Sequence, residues 1–295
     1  MTTPSLTIGM PVYNGERFLR PALDSLLAQA CGDFELLISD NASTDSTPAI
    51  CAEYTARDPR IRYVRQPENR GVFANVTFLA ESARTEFFML VGDDDVYEPN
   101  YVAVMMELFR RHPETDLAYS NYGFIDPQGA LSPSGLAVFL DGRVSRARNF
   151  QRFLLARIVL PMMMGVFRTS SFRRALPFVR FPDGMTGSVD TVFLMRFLTY
   201  ANVESSDLVL FYYRIKERTS YLPASFRRSR WSYQWSVIRL NWTILTQHTL
   251  PIVARAPFGA LRKVLLMLYA PIIYVADYSL IPAVQSLRKR FRRPQ

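Results

Sequence analysis

Apolar positions in the first half of the chain recur with two periods. Short segments, the apolar runs Leu6–Met10 (stopped by Pro11) and Phe87–Val91 together with Phe34–Asp40, which ends at an acid, and Ile61–Arg65, have the length and content of strands. Between them, Phe18, Leu19, Ala22, Leu23, Leu26 and Leu27 share one face of a helix predicted over Gly15–Ala30. A polar turn, Asn41–Asp45, leads into a second helix through about Arg57, and a third is expected over Val72–Glu81. Strands that alternate with helices of this length predict βαβ units, an α/β fold and a mostly parallel sheet flanked by helices.

That layout says where a ligand should sit. In open parallel sheets, ligands bind beyond the carboxyl ends of the strands. Those ends read Pro11-Val12-Tyr13-Asn14, Asp40-Asn41 and Asp93-Asp94-Asp95, which are aromatic, polar and acidic. Farther on, Tyr119–Gly129 reads as a strand and a turn, and Ser188–Phe197 as an amphipathic helix. Leu160–Gly165 holds three methionines, which suit either buried packing or an acceptor pocket.

Composition adds exclusions. The 295 residues are 49% hydrophobic with 13 glycines, so the chain is neither disordered nor collagen-like. Two cysteines, Cys31 and Cys51, build no disulfide framework and suit a reducing compartment. Two histidines leave little for a histidine-rich zinc site. Residues 1–15 carry no positive segment, so no targeting peptide is expected and a cytoplasmic location is.

The net charge of +9 changes the picture once it is located. From Arg227 onward there are twelve Lys/Arg and one acid, Asp277, a local balance of +11. The preceding 226 residues are slightly acidic. Within the basic segment, Val264–Leu287 has a single charge and two prolines, bracketed by Arg262-Lys263 and Arg288-Lys289-Arg290. Basic clusters at both ends favour helices lying in a membrane interface, or a re-entrant hairpin, with both basic ends on the cytosolic face, over a simple span. The rivals are a helical pair packed on the rest of the chain or on a second copy of it, a transmembrane anchor, and a nucleic-acid surface. The last is disfavoured because the cations bracket apolar helices instead of lining a groove.

The chemistry rests on the acids. No GxGxxG follows the first strand and no GxxxxGK[ST] occurs, which argues against a dinucleotide or P-loop site. Three consecutive aspartates after a buried strand repel one another unless a cation or donors neutralise them. Mg²⁺ or Mn²⁺ takes a few carboxylates and completes its shell with water and phosphate oxygens. The competing reading is an acidic turn capping the helix that starts near Pro99.

Taken together, Pro11–Gly15, Phe34–Asp45, Glu68-Asn69-Arg70-Gly71 and Gly92–Tyr101 (GDDDVYEPNY) resemble the family 2 glycosyltransferases, over about Ser5–Tyr122. The resemblance implies a GT-A, Rossmann-like fold, a nucleotide-sugar donor and inversion at the anomeric carbon. It implies a donor site with Pro11 and Tyr13 at the base, Asp40 accepting from it, and Asn69, Arg70 and Asp93 nearby. Asp94 and Asp95 would hold the Mg²⁺ or Mn²⁺. The D-x-D position two before Asp94 is Gly92, so this is a DDD variant. Asp190 matches the family's general base at the start of an acceptor-facing helix, the competing reading being an ordinary helix N-cap, with Asp183 a weaker rival. Lys216 stands where family members often carry a histidine toward the diphosphate, which puts strict metal dependence in doubt. The Q-x-x-R-W motif of processive synthases is missing, which favours single addition.

The expected organisation is a catalytic part over 1–226, with a nucleotide-sugar half (1–122) and an acceptor half (123–226), followed by a membrane-associating helical tail over 227–295. The expected reaction is sugar transfer to a hydroxyl of a glycan or lipid-linked acceptor, in cell-surface polysaccharide or glycolipid synthesis. Transfer to polyprenyl phosphate and non-catalytic nucleotide-sugar or glycan binding are the alternatives.

Overall fold

The computed structural model describes residues 4–132, 144–156, 160–179, 189–215, 242–268 and 270. Strands are β1 (Leu6–Val12), β2 (Phe34–Asp40), β3 (Ile61–Arg65), β4 (Phe87–Leu90), β5 (Val96–Tyr97), β6 (Leu117–Ile125), β7 (Leu131–Ser132), β8 (Val166–Arg168) and β9 (Val203–Arg214). Helices are α1 (Leu19–Leu27), α2 (Thr47–Arg57), α3 (Val72–Ser82), α4 (Tyr101–Arg111), α5 (Arg146–Ala156), α6 (Leu160–Met163), α7 (Thr169–Ala175) and α8 (Val189–Leu198). A π-helical turn, Ile244–Thr249, runs into the helix Leu250–Arg255, and 260–268 is helical. The chain divides into two compact units, one of 1–144, 158–178 and 201–219, the other of 145–157, 179–200 and 220–295.

The first unit is built on a mixed sheet, nine-stranded among the described residues, in the order β3-β2-β1-β4-β8-β6-β9-β5, with β7 on β6. The strands β3, β2, β1 and β4 are all parallel. Leu6, Ile8 and Met10 of β1 and Leu36, Leu37 and Ile38 of β2 are fully buried, as strands covered on both faces must be. Beyond β4 the parallel pattern stops. β8 enters antiparallel between β4 and β6, and β5 closes the edge antiparallel to β9. The β6–β9 pair is parallel, with irregularities around Asn121.

The helix predicted over Gly15–Ala30 is shorter at both ends, running from Leu19 to Leu27. Gly15 O accepts from both Phe18 N and Leu19 N (3.0 Å each), so the chain enters α1 through a turn, and the N–H groups of Asn14, Gly15 and Glu16 donate to Ser43, Thr47 and Asp45 side chains. Leu19, Ala22, Leu23 and Leu26 then bury the expected face. Met162 and Met163 of α6 are core residues, which selects the packing reading for that run.

The second unit is helical in its described residues. α8 is buried nearly all round, through Val189, Val192, Phe193, Leu194, Met195, Phe197 and Leu198. The Thr249 hydroxyl donates to Met195 Sδ (3.4 Å), and Phe150 of α5 packs edge-on against Phe258 (5.7 Å).

Candidate active site

The strand order reverses between β1 and β4, the point beyond whose carboxyl ends open parallel sheets place their ligands. The β1–β2 ladder continues to Val12–Asp40, but the β1–β4 ladder ends at Gly9–Leu90. Pro11 follows that last pair, where a missing N–H costs no ladder bond. Beyond it, Tyr13 is 48% exposed and Asn14 has φ 53°, a left-handed conformation that asparagine tolerates better than most residues. The chain therefore turns sharply at the strand end and leaves the Tyr13 ring facing solvent.

The loops after β1 and β2 are knitted together. Asn14 Oδ1 accepts from Thr44 N (2.8 Å), and Gly15 N donates to Thr47 Oγ1 (2.9 Å). Glu16 Oε2 accepts from Ser46 N (2.9 Å). Burial would raise the Asp45 carboxyl, but bonds from Thr47 and Glu16 N outweigh it and hold it below the usual value. A second knot joins Asn41 to the loop before α3. Asn41 Nδ2 donates to Asn69 Oδ1 (2.8 Å), and Asn41 Oδ1 accepts from Arg70 N (3.1 Å). Asn69 Oδ1 also accepts from Gly71 N, where φ is 84°. Asn69 thus shapes the loop, while the Arg70 side chain is exposed at the rim.

Asp40 occupies a different place from the one expected of it. It is fully buried, with Oδ1 accepting from Ser43 N (2.8 Å) and Oδ2 from Tyr63 Oη (2.7 Å). Its carboxylate organises the wall behind the loop and presents no surface to a ligand. Burial, aided by Asp40, pushes the Tyr63 phenol above its ordinary value, so it stays a donor to that carboxylate. Cys51 is pushed up to about 12, first by burial and then by Asp40, and is an inert core thiol.

The aspartate triplet is held from two sides. A side chain on Gly15 would begin 2.6 Å from Asp93 Oδ2, so that carboxylate lies directly over the Gly15 backbone. The Asp93 carboxylate, just beyond the β4 end, thus lies close against the loop that follows β1. Over Gly92, a Cβ would meet Asp95 Oδ2 at 2.6 Å and Asp94 Oδ1 at 3.1 Å. Asp94 and Asp95 therefore turn oxygens toward one spot, and only glycine at 92 leaves room for them. The aspartate that a strict D-x-D would place at 92 is sterically incompatible with this arrangement.

Arg214, at the end of β9, braces the same segment. It is 4% exposed; its backbone N–H donates to Asp95 Oδ1 (3.0 Å) and its Nε to the Asp94 carbonyl (2.7 Å). Nη1 donates to the Asp126 carbonyl (3.0 Å), and the guanidinium lies 4.9 Å from the centre of the Phe18 ring. The sequence reading passed over Arg214 in favour of Lys216. The available signal was an arginine ending the apolar run Phe211-Tyr212-Tyr213, a cation with nowhere to go but a built site. Tyr97, stacked on Phe211 (5.1 Å), has a buried hydroxyl that finds no hydrogen-bond partner among the described residues.

Whether this site suits a divalent cation turns on the donor set. Two carboxylates converging over Gly92, one half-exposed and one buried, are the hard oxygen donors that Mg²⁺ or Mn²⁺ takes when substrate phosphate completes its shell. The residues fit, with Asp94 the more accessible ligand and Asp95 fixed by Arg214. Among the described residues no group of three or more His, Cys, Asp or Glu forms a self-sufficient metal cage. A cation here would depend on its diphosphate partner.

In the second unit, Asp190 lies in the first turn of α8, half-buried. Burial pushes its carboxyl up to about 6, into the range of a working general base. Asp183 and Lys216 lie outside the described residues.

A family model described as "Glycosyl transferase family 2" matches residues 7–175. The chain is 36% identical over 122 residues to the Bacillus subtilis protein EpsH, covering 41% of this chain and 35% of that one. The match thus spans about a third of the length of such curated relatives. Among solved structures, S. aureus TarS in complex with UDP-GlcNAc has a TM-score of 0.69 at 17% identity, covering 94% of this chain and 74% of that one. A mannosyltransferase from Pyrobaculum calidifontis, in complex with GDP-Man and Mn²⁺, has a TM-score of 0.55 at 15% identity, covering 98% and 80%. At these identities the two structures show a common fold.

Proposed function

The chain belongs to glycosyltransferase family 2, and from that premise we propose that it moves a sugar, with inversion, from a nucleoside-diphosphate donor to a hydroxyl of a glycan or lipid-linked acceptor. The observation that carries the reading is the strand-order reversal between β1 and β4, where an exposed aromatic ring, a knitted polar loop and the carboxylates of Asp94 and Asp95 follow the strand ends. Tyr13 offers a face for the base, beside Pro11. The Asn41–Asn69 knot fixes the loop that carries Arg70, whose exposed guanidinium suits the donor's phosphates.

Departure of the nucleoside diphosphate leaves negative charge on a phosphate oxygen. A divalent cation held by Asp94 and Asp95 would supply neutralisation of that charge. Arg214 keeps both aspartates in place through Asp95 Oδ1 and the Asp94 carbonyl, and Asp93 lies beside them against Gly15. Lys216, as in the sequence reading, is proposed to add a fixed positive charge near the diphosphate. Asp190 takes the proton from the acceptor hydroxyl as it attacks, and its raised pKa supports that role. A single displacement needs no other nucleophile.

The test is a donor screen that reads released UDP, GDP or dTDP with wild type and Asp94→Asn. One nucleotide should be released by wild type, with at least a hundredfold loss in the variant and in wild type after chelation. No release from any donor, or full activity of Asp94→Asn, would overturn the proposal.

A further inference from the structure

In the second unit, helix 260–268 carries two apolar faces, one buried and one exposed to solvent. At about 100° per residue, Lys263, Leu266, Met267 and Ala270 fall on one side. Leu266 is 5% exposed and Ala270 fully buried, so that side packs against protein. Leu261, Val264, Leu265 and Leu268 fall within a stripe about 100° wide on the opposite side. These four are 73%, 52%, 56% and 64% exposed. Four large aliphatic side chains held in line on a surface helix mark an interaction face.

Charge decides what covers it. Arg262 is exposed beside the stripe, with Nη1 donating to Ser145 Oγ (3.1 Å). Lys263 Nζ donates to the Ala254 carbonyl (2.9 Å) across the helix start. Arg255 and Arg146 add exposed cations in the same unit. The sequence from Arg227 to the end holds twelve Lys/Arg and one acid. A second copy of so basic a segment would repel the first, whereas anionic headgroups would be attracted to it. Among the described residues no helix is long and apolar enough to cross a membrane.

We propose that the stripe Leu261–Val264–Leu265–Leu268 inserts at the headgroup–acyl boundary of an anionic bilayer, with helix 260–268 lying in the membrane plane. Arg262 beside it and the exposed Arg255 and Arg146 pair with lipid phosphate, and the chain is thereby held at a lipid surface.

The experiment uses the full chain in co-sedimentation with vesicles of phosphatidylglycerol mixed with phosphatidylcholine, and with phosphatidylcholine alone. Wild type should bind the anionic vesicles at least tenfold more tightly than the neutral ones, with release at high salt. Leu261→Gln combined with Leu265→Gln should lose at least tenfold in vesicle affinity with its Tm unchanged, because the changed side chains face solvent in the free protein. Wild type failing to bind anionic vesicles would overturn the proposal, as would vesicle affinity surviving the double change. A variant that turned a dimer into a monomer while vesicle binding persisted would overturn it too, and would assign the stripe to a second copy. Should the double variant unfold, Leu268→Gln alone provides the same comparison. Vesicle binding does not depend on catalysis, so this outcome is separate from that of the donor screen.

Discussion

Gly92 is a position where one methyl group decides the site. A Cβ there begins 2.6 Å from Asp95 Oδ2, and Asp95 cannot retreat because its other oxygen is bonded to Arg214 N. Gly92→Ala is expected to cost about 1–3 kcal/mol in urea unfolding. It should also weaken Mn²⁺ binding in the presence of nucleoside diphosphate by at least tenfold, read by titration calorimetry. Unchanged affinity would show that Asp94 and Asp95 do not act together. Asp190 makes a prediction of two signs. Its folded pKa of about 6 exceeds the ordinary carboxylate value, so the folded chain holds this proton more tightly than the unfolded one. That contribution is full below the unfolded value and is lost as pH rises through about 6. Asp190→Asn should therefore raise stability at pH 7–8, by about 1–2 kcal/mol given that the side chain still reaches solvent. The same change should remove activity, and the wild-type acid limb of kcat should fall near pH 6. Loss of activity without a stability gain would point to a cap, not a buried base.

At the scale of elements, the end of β9 is the support of the acidic segment. Arg214 bonds the backbone of Asp94 and of Asp126, so one side chain ties the β4–β5 connection to the turn after β6. Arg214→Met removes these bonds, leaves buried carbonyls unpaired, and is expected to cost about 2–4 kcal/mol. Arg214→Lys should recover little, because one ammonium cannot span two carbonyls and lie over the Phe18 ring. Urea midpoints for both variants, with the KM for donor, separate a brace from a substrate contact. A brace lowers stability and raises KM together, whereas a purely catalytic arginine would spare stability. β2 was legible to the residue because a strand buried on both faces writes itself as a largely apolar run, and β3 was legible from its Ile, Tyr and Val although Arg62 and Arg65 are exposed. The start of α1 was not, because the turn at Gly15 O that precedes it leaves no mark on the apolar period.

At the scale of the whole molecule, the +9 charge belongs to one segment, and the vesicle experiment above is its test. Apolar periodicity alone determined the alternation of strands and helices, the parallel half of the sheet, and the loops in which a ligand site had to lie. Those are local properties, since burial on one or two faces imposes its period on neighbouring residues. The triplet Asp93–Asp95 stood out for the same local reason, three acids following a buried run. Only the tertiary structure decided what each polar group does there. It sent Asp40 into the core between Ser43 and Tyr63, turned Asp94 and Asp95 toward one spot above Gly92, and made Arg214 their support. It also set β8 antiparallel between β4 and β6, some eighty residues along the chain from the first and some fifty from the second. Pairings over such separations depend on which surfaces meet, and no window of sequence contains both partners.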